Sequence, residues 1–467
     1  MTENSTANKR QKLQKKQIII NAFLMASAGN QTINSWRNEN DQTADSFQNP
    51  QYWIELAKLL EKGKFNSVFF ADVLGPYDVY NGPGNFGPVA KAASQFPLSD
   101  PTYFIPLMAS VTKNLAFGVT ASTIAEPPYH LSRRLGTVDL ISNGRVGWNI
   151  VTSYLDSASR NLLNGESLPS NVERYDRAEE YLDVVYKLFL SSWQDGAQHL
   201  PVLIQAGAST RGKELAARNA EVIFFSSKTK ESLAASISDV KEIAKNKFGR
   251  DLSKIKFLSL VNVVLGETAE EAQEKYEAAK ALGDVEAAKA MFSGWTGVDI
   301  GVYDDDQSLD DVNHVAITSA VQKWKEAAPD VKKWTKNAIV DDVLVAGYGP
   351  LFVGTAEQVA QKIEDWVEYS DVDGFNFTYT QSPQSFEDIV EYLLPELRKR
   401  GLLPEDYPEP LDGKILTYRE QLFGDRFLDR THPAHDLRWN ANENKESFES
   451  RLPAALERLE NGSPKPL

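Results

Sequence analysis

The sequence predicts an α/β fold: a closed (β/α)8 barrel, or TIM barrel, with long insertions at the carboxyl ends of its strands. Eight short apolar runs are each followed by an amphipathic helical pattern, and this alternation is typical of parallel βα units. Eight such units close a barrel, and a chain of 467 residues suits one barrel with insertions. An open, doubly wound sheet is the alternative that the pattern leaves open.

The predicted elements follow in order along the chain. The strands are 17–27, 67–75, 115–123, 145–153, 201–209, 221–227, 254–266 and 374–380. Helical patterns lie between them at 51–63, 101–113, 130–141, 174–190, 211–219, 229–247, 268–281 and 355–369, and a ninth, 385–400, follows the last strand.

Three regions are predicted along the chain. Residues 1–16 form a basic polar tail, 17–400 the barrel, and 401–467 a C-terminal strap over its surface. An insertion at about 282–353 precedes the last βα unit, and its part 292–311 is loop-like. Segments 28–50 and 76–100 each follow a strand, so we expect them to lie over the barrel mouth, because long loops of this kind are often lids or binding elements.

Composition excludes several classes of function. The net charge of -15 argues against nucleic acid or an anionic membrane as the main partner. The chain has no cysteine, which rules out disulfides, thiolate metal sites and cysteine nucleophiles. No secretory signal is recognisable, and the run "IIINAFLMASA" is too short to span a bilayer. A cytoplasmic protein is therefore expected.

Polar side chains recur where the predicted strands end, which in a barrel is where active sites form. In "GRVGWNIVTSY" (144–154), Asn149 interrupts an apolar strand, and an unpaired polar group there would cost about 1–3 kcal/mol. We therefore expect a ligand at the mouth, although helix capping is the alternative for any one of these groups. The strand-end residues are Ser27, Asp72, Ser122, Thr123, Asn149, Thr152, Ser153, Ser209, Ser226, Ser227 and Thr378.

The stretch "PVLIQAGASTRGKELAARNAE" (201–221) carries the strongest local signal. Gly207 and Gly212 allow the backbone to approach an anion closely, and a helix beginning near Arg211 offers free N–H groups to a phosphate. Ser209 adds a hydroxyl, and Arg211 or Lys213 a charge. The pattern is neither a P-loop nor a dinucleotide fingerprint, and turn geometry alone is the other explanation.

Other catalytic patterns are weak. His130 could act as an acid or base but is more simply a structural donor beside Glu126 and Arg134, and Arg174 and Tyr175 could reach a ligand from the start of a helix. "HPAH" (432–435) lies in the C-terminal tail and lacks acidic partners in a strand context, so no metal site is expected. Neither a "GxSxG" elbow nor a pair of strand-end carboxylates is present. A chain without these groups is expected to use a cofactor, and an anion-binding loop suits a phosphorylated one.

Several stretches together resemble the bacterial-luciferase-like flavin monooxygenases. The resemblance is strongest to the branch of nitrilotriacetate monooxygenase component A, the dibenzothiophene-sulfone monooxygenases and the long-chain alkane monooxygenase. It rests on segments that run in family order over nearly the whole chain: "WIELAKLLEKGKFNSVFFADVLGPYDVY", "LAFGVTASTIAEPPYHLSRRLGTVDLISNGRVGWNIVTSY", "ERYDRAEEYLDVV", "PVLIQAGASTRGKELAARNAEVIF", "FSGWTGVDI", "GYGPLFVGTAEQVAQKI" and "DGFNFTYT…EDIVEYLLPELRKRGL".

The resemblance implies a two-component monooxygenase. Reduced FMN (FMNH2) would come from a separate NAD(P)H-dependent flavin reductase, and O2 would be activated as a flavin hydroperoxide. The enzyme would oxygenate a small organic molecule, a sulfur compound, amine or alkane, and would form a homo-oligomer, a dimer or tetramer. The alternatives are a flavin-binding barrel with lost or altered oxygenase activity and a deazaflavin-dependent oxidoreductase.

The resemblance also assigns residues. It places Ser209 at the phosphate, Asn149 at the edge of the isoalloxazine ring and Ser153 at the oxygen-bearing side of the ring, the last two as catalytic residues. Asn171 stands where the family often has His, which leaves a donor that cannot become cationic, and the segment before Pro201 is shorter than is usual in the family. The full set expected at the flavin is Asp72, Thr123, Asn149, Val151, Thr152, Ser153, Asn171, Tyr175 and Ser209.

Overall fold

A closed ring of eight parallel strands forms the centre of the computed structural model, which describes residues 15–194, 199–206, 209–309, 312, 314–410 and 413–461. The ring runs β1–β2–β3–β4–β5–β6–β7–β9 and closes because β9 pairs with β1. This confirms the (β/α)8 barrel and removes the open sheet. The strands are β1 (Ile19–Met25), β2 (Ser67–Ala71), β3 (Ala116–Ser122), β4 (Val146–Val151), β5 (Val202–Ala206), β6 (Val222–Phe225), β7 (Lys256–Leu265), β8 (Leu351–Gly354) and β9 (Gly374–Thr378).

Helices surround the ring and fill the connections. They are α1 (Pro50–Lys62), α2 (Gly87–Ala92), α3 (Ile105–Ala109), α4 (Pro128–Ile141), α5 (Asp156–Leu162), α6 (Asn171–Tyr186), α7 (Thr210–Asn219), α8 (Lys230–Phe248), α9 (Ala269–Ala281), α10 (Val285–Thr296), α11 (Val315–Ala327), α12 (Lys336–Ala346), α13 (Ala356–Ser370), α14 (Gln384–Asp388), α15 (Leu394–Lys399), α16 (Tyr418–Phe423) and α17 (Lys445–Asn461). A π-helical turn at Lys187–Ser191 extends α6, and another at Ile389–Leu393 joins α14 to α15. Short 3-10 turns lie at Ser35–Arg37, Ser46–Gln48, Pro101–Tyr103, Leu252–Lys254, Ile300–Val302 and His435–Leu437.

The sequence prediction missed strand β8. Residues 351–353 were predicted to end the insertion, but Leu351–Gly354 pairs with Asn262–Leu265 of β7 outside the ring. β7 is ten residues long, so its first half pairs inside the barrel and its second half accepts β8. Two helix predictions also differ: 101–113 contains a 3-10 turn and the five-residue α3, and Phe292–Thr296 of the predicted loop is the last part of α10.

Aromatic rings fill the inside of the barrel. Phe23 of β1 stacks on Phe69 of β2 with their centroids 5.5 Å apart, and Phe224 of β6 meets Phe69 edge-on at 4.9 Å. Gly147 of β4 leaves room for Ile204, because a Cβ at Gly147 would lie 2.8 Å from the Ile204 side chain. The interior is thus a packed core, and a ligand can bind only at an end.

The amino ends of the strands form one end of the barrel, called the floor here, and α16 covers it. Tyr418 is buried, and its hydroxyl donates to Ser67 at the start of β2. The carboxyl ends form the mouth. There the 282–353 insertion builds a second hydrophobic cluster with Ile33, Tyr77 and Tyr80 from the two long segments after β1 and β2.

Candidate active site at the barrel mouth

Most of the residues predicted to contact a flavin lie at the carboxyl ends of β2 to β5. Asp72 follows β2, Thr123 follows β3, and Val151 is the last residue of β4. Asp72, Val151 and Ser153 line one cleft together with Thr120, Ser122 and Tyr154. The sequence therefore placed these side chains in one region of the mouth because parallel strands end at the same face of a barrel.

Asn149 is buried inside the barrel, two residues before the end of β4, and only half of its amide is bonded. Its Nδ2 donates to Thr120 Oγ1 over 2.8 Å, while its Oδ1 is buried without a hydrogen-bond partner in the described part of the chain. The Thr120 hydroxyl donates its own proton to the carbonyl of Phe70 and can therefore only accept from Asn149. This network fixes the amide orientation and leaves one acceptor free for a ligand.

Ser153 has a strained backbone immediately after β4. Its φ is +61°, in the left-handed region that residues other than glycine seldom adopt. Its hydroxyl lies 2.8 Å from that of Ser122 at the end of β3. Such strain is found where a structure holds a side chain in a functional position, and here it aims a hydroxyl pair into the cleft.

Asp72 is a carboxyl group that changes charge near neutral pH. Burial and, to a smaller extent, the negative charge of Asp100 raise its pKa from 3.8 to about 7, and Arg134 opposes both effects. Arg134 forms ion pairs with Asp100 and with Glu126 and so does not neutralise Asp72 fully. At neutral pH this carboxyl is therefore able to donate or accept a hydrogen bond at the mouth.

The predicted phosphate seat brings Ser209, Gly212 and Tyr175 together at the start of α7. Ser209 caps the helix by accepting the N–H of Gly212 over 3.0 Å, and its hydroxyl is 3.3 Å from that of Tyr175. A Cβ at Gly212 would lie 2.8 Å from the Tyr175 hydroxyl, so glycine is needed for this approach. Gly207, also predicted here, lies outside the described residues.

The two cations predicted near this seat are held by carboxylates. Arg211 pairs with Asp176 and, at 3.3 Å, with Glu214. Lys213 pairs with Asp239 at 2.6 Å. An anion at the start of α7 would therefore be bound by helix N–H groups and hydroxyls more than by these side chains.

The other predicted residues are more peripheral. Thr123 is buried and its N–H donates to the carbonyl of Val151, and Thr152 is buried beside it. Asn171 is exposed at the start of α6, one turn before Tyr175. His130 is exposed on α4. The shortened segment before Pro201 falls partly on residues 195–198, which lie outside the described ranges.

Comparison with known proteins identifies the family. The model of the luciferase-like monooxygenases matches residues 32–373. The chain belongs to the luciferase-like monooxygenase family. It is 35% identical to the dimethyl-sulfide monooxygenase of Hyphomicrobium sulfonivorans, with 94% of this chain and 97% of that protein covered.

Two further relatives agree with the family assignment. The long-chain alkane monooxygenase of Geobacillus thermodenitrificans (strain NG80-2) is 36% identical, with 88% of this chain and 94% of that protein covered. The crystal structure of DmoA from Hyphomicrobium sulfonivorans superposes with a TM-score of 0.82 at 34% identity, covering 91% of this chain and 96% of that one. The family resemblance is confirmed, and the chain is a flavin-dependent monooxygenase.

In this luciferase-like barrel an aromatic roof, defined as Tyr77, Tyr154, Trp295 and Tyr348, stands beside the cleft. The Tyr77 hydroxyl is 2.8 Å from that of Tyr154 and accepts from Trp295 Nε1 over 3.2 Å, and Trp295 packs on Tyr348 at 4.7 Å between centroids. Tyr154 is 45% exposed, yet burial raises its pKa well above the ordinary value. Its ring therefore faces a cleft within the protein. Sequence reasoning missed this set because its members come from three distant segments.

The histidines of "HPAH" are engaged in structural bonds. His432 Nδ1 accepts the N–H of Ala434, and its Nε2 contacts the carbonyl of Asn219 at 2.9 Å. Burial lowers the pKa of His432 well below its ordinary value, which keeps the ring neutral. Within the described ranges, no group of three or more His, Cys, Asp or Glu side chains is arranged to hold a metal ion, and no helix is long and apolar enough to cross a membrane.

Proposed function

We propose that this chain is the oxygenase of a two-component system: it takes reduced FMN from a separate NAD(P)H-dependent flavin reductase and oxygenates a small organic molecule. The bound flavin would supply two electrons, so that substrate, O2 and reduced FMN give oxygenated substrate, water and oxidised FMN. The substrate classes are sulfur compounds, amines and alkanes. The observation that carries the proposal is the unpartnered Asn149 Oδ1 on the strand next to the Ser209 seat.

The residues present fit such a cofactor at two points. Asn149 lies opposite Ile204 in the register of β4 and β5, and β5 leads directly to the helix that Ser209 caps. An N–H group at the ring edge would satisfy the buried Asn149 oxygen, whose burial without a partner costs about 1–3 kcal/mol. The hydroxyls of Ser209 and Tyr175, with the backbone at the start of α7, would hold the phosphate, while the Gly212 N–H is already bonded to Ser209.

The remaining mouth residues would protect and assist the reaction. The hydroxyl pair of Ser153 and Ser122 can hold a proton near the reacting side of the ring, because each hydroxyl both donates and accepts. The aromatic roof would exclude water from the cleft, which protects reactive oxygen species from side reactions. Asp72 lines the same cleft and has a pKa near 7, so it would supply or take up protons there.

Two measurements test the proposal. Anaerobic titration should show that reduced FMN binds more tightly than oxidised FMN, and equal affinities would contradict a diffusing reduced flavin. With an added flavin reductase, NADH and 18O2, one labelled oxygen should appear in the product of a panel that includes dimethyl sulfide, an amine and a long-chain alkane.

Other outcomes point to the alternatives. Tight binding of reduced FMN without labelled product from any member of the panel would favour a barrel that has lost or changed its oxygenase activity. A deazaflavin absorbance spectrum in the purified protein would contradict the FMN assignment. The resemblance also leads us to expect a dimer or tetramer, which light scattering would measure.

A further inference from the structure

Lys323, on α11 of the insertion, is a partly buried cation that forms no ion pair with any described residue. Its Nζ lies 4.7 Å from the centroid of the Tyr348 ring, and among the described residues no carboxylate lies within ion-pair distance of it. Burial lowers the pKa of Lys323 and the positive charge of Lys228 lowers it further, while the Glu326 carboxylate opposes them with a smaller effect. An ammonium group removed from water without an anion is unfavourable, so this site favours an anionic ligand.

Two charged groups near Lys323, Lys228 and Glu326, already have bonding partners of their own. Lys228, at the carboxyl end of β6, pairs with Asp342, which also accepts from Trp324 Nε1 over 2.7 Å. Glu326, on the same helix as Lys323, accepts from Gln322 Nε2 over 3.2 Å. Of these two lysines, Lys323 is the one for which the described residues provide no ion pair, since Glu326 acts on it only from a longer distance.

The aromatic roof connects Lys323 to the candidate active site. Lys323 lies over Tyr348, Tyr348 packs on Trp295, and Trp295 bonds to Tyr77, which contacts Tyr154 next to Ser153. Aromatic rings bind apolar groups and also make favourable contacts with thioether sulfur. These contacts run from the charged group of Lys323 along apolar rings to Tyr154, which lines the cleft together with Ser153.

We propose that Lys323 binds a carboxylate of the substrate, while the aromatic roof holds its apolar or thioether part beside Ser153. The substrate would then be an organic anion, a narrower class than the proposed function names. This inference rests on the proposed oxygenase function only for the oxygenation step that follows binding of the substrate. The binding itself is a property of this chain and can be measured without turnover.

The test compares two matched probes, 3-(methylthio)propanoate and its methyl ester, by quenching of tryptophan fluorescence in the protein loaded with oxidised FMN. Trp295 and Trp324 both contact Tyr348 and report on the cleft. We expect the carboxylate to bind about 10- to 100-fold more tightly than the ester, because a hydrogen bond to a charged partner gives such a factor.

Three variants decide the assignment. Lys323→Met should abolish the preference for the carboxylate, Lys323→Arg should keep most of it, and Lys332→Met, at an exposed lysine of the same insertion, should leave it unchanged. Equal losses in the Lys323→Met and Lys332→Met variants, or no preference in the wild type, would overturn the proposal. Thermal melting shows whether Lys323→Met is folded, and labelled product from 18O2 judges the proposed function separately.

Discussion

At the floor of the barrel, Arg419 and Glu221 form a buried ion pair in which every charge is matched. The Arg419 guanidinium contacts both carboxylate oxygens at 2.7 and 2.9 Å and donates further to the carbonyls of Leu200 and Pro201. Glu221 also accepts the N–H of Leu203. The pair fastens the C-terminal segment beneath β5 and β6.

At the mouth the polar groups are left incomplete. In the described part of the chain, Asn149 Oδ1 has no hydrogen-bond partner, Arg134 offsets the raised pKa of Asp72 only in part, and Lys323 lies over an aromatic ring without an ion pair. The Arg419–Glu221 pair at the floor is thus complete where these groups at the mouth are open, which fits one end of the barrel serving stability and the other binding. The following predictions test this division, beginning with the largest effect.

Removing the guanidinium at the floor should have the largest effect on stability and little on binding. Arg419→Met leaves the Glu221 carboxylate buried and unpaired, which costs about 3–5 kcal/mol of unfolding free energy. Urea denaturation measures this loss, and Arg133→Met, at an exposed arginine, should change stability by about 0.5 kcal/mol or less. If Arg419→Met reduced the free energy of binding of reduced FMN as much as the free energy of unfolding, the floor would also contribute to binding, which would contradict the division.

Neutralising Asp72 at the mouth should stabilise the protein above neutral pH. The pKa of Asp72 is raised from 3.8 to about 7 in the folded state, so its contribution to stability is full below about pH 4 and is lost as the pH rises to 7. Because one pKa unit corresponds to about 1.4 kcal/mol, this shift sets an upper limit of about 4 kcal/mol. Asp72 is only half-buried, so screening by solvent reduces the gain in unfolding free energy expected from Asp72→Asn at pH 8 to about 1–3 kcal/mol.

The pH dependence distinguishes this effect from a general change in charge. The gain from Asp72→Asn should shrink as the pH is lowered from 8 toward 5, whereas Asp330→Asn, at an exposed aspartate, should show no such trend. Urea denaturation at several pH values measures both. A stabilisation that is the same at pH 5 and pH 8 would contradict the raised pKa.

Replacing Asn149 should affect flavin binding rather than stability. Asn149→Leu loses the hydrogen bond to Thr120 but also removes the unpartnered Oδ1 from the core, so the melting temperature of the flavin-free protein should be unchanged or slightly raised. The affinity for reduced FMN should fall about three- to tenfold, the equivalent of about 0.5–1.5 kcal/mol.

A second asparagine inside the barrel provides the matched control. Asn376 of β9 is buried and accepts from Asn21 Nδ2 over 2.9 Å, while its own Nδ2, like Asn149 Oδ1, has no partner among the described residues. Asn376→Leu should destabilise the protein by about 1–3 kcal/mol, because it leaves the Asn21 amide without that partner, and should change FMN affinity only slightly. The opposite pattern, with Asn149→Leu destabilising and Asn376→Leu weakening FMN binding, would make Asn149 a structural amide.

The sequence predicted the structural features that depend on a pattern within one short stretch of chain. Each of the eight barrel strands was recognised, because an apolar run followed by an amphipathic helix is visible within one stretch of chain. Strand β8 was missed because four residues, Leu351–Gly354, at the end of an insertion carry too little pattern. The strand-end residues Asp72, Val151 and Ser153 were predicted together since topology alone brings parallel strand ends to one face.

What the sequence could not show are contacts between distant segments. Arg419 and Glu221 are 198 positions apart, and neither stands in a motif. Lys323 is one of several lysines on amphipathic helices, and only the packing of α11 against Tyr348 shows that this one lacks a carboxylate. Likewise, the sequence could not show that the Asn149 oxygen lacks a partner, because this depends on the bonds that Thr120 makes. The position of Asn149 in an apolar strand did mark this residue as a candidate for ligand binding.

The smallest predicted effect is at Arg211, the residue that charge alone would favour as a phosphate ligand. Its guanidinium is already engaged by Asp176 and Glu214, so it has little left to give an anion, and ion pairs of this exposed kind are worth about 0–1 kcal/mol. Arg211→Ala should therefore weaken FMN binding about twofold at most.

Ser209→Ala should have a larger effect on FMN binding, a loss of about three- to tenfold. It removes the hydroxyl that caps α7 and faces Tyr175, and a lost cap or hydrogen bond is worth about 1 kcal/mol. Isothermal titration of both variants with FMN measures the two effects side by side. If Arg211→Ala lost FMN binding while Ser209→Ala kept it, the phosphate would bind to a side chain of α7 and not to the first turn of the helix. A charged group that is already paired would then take part in binding, which would contradict the division between paired groups and binding groups.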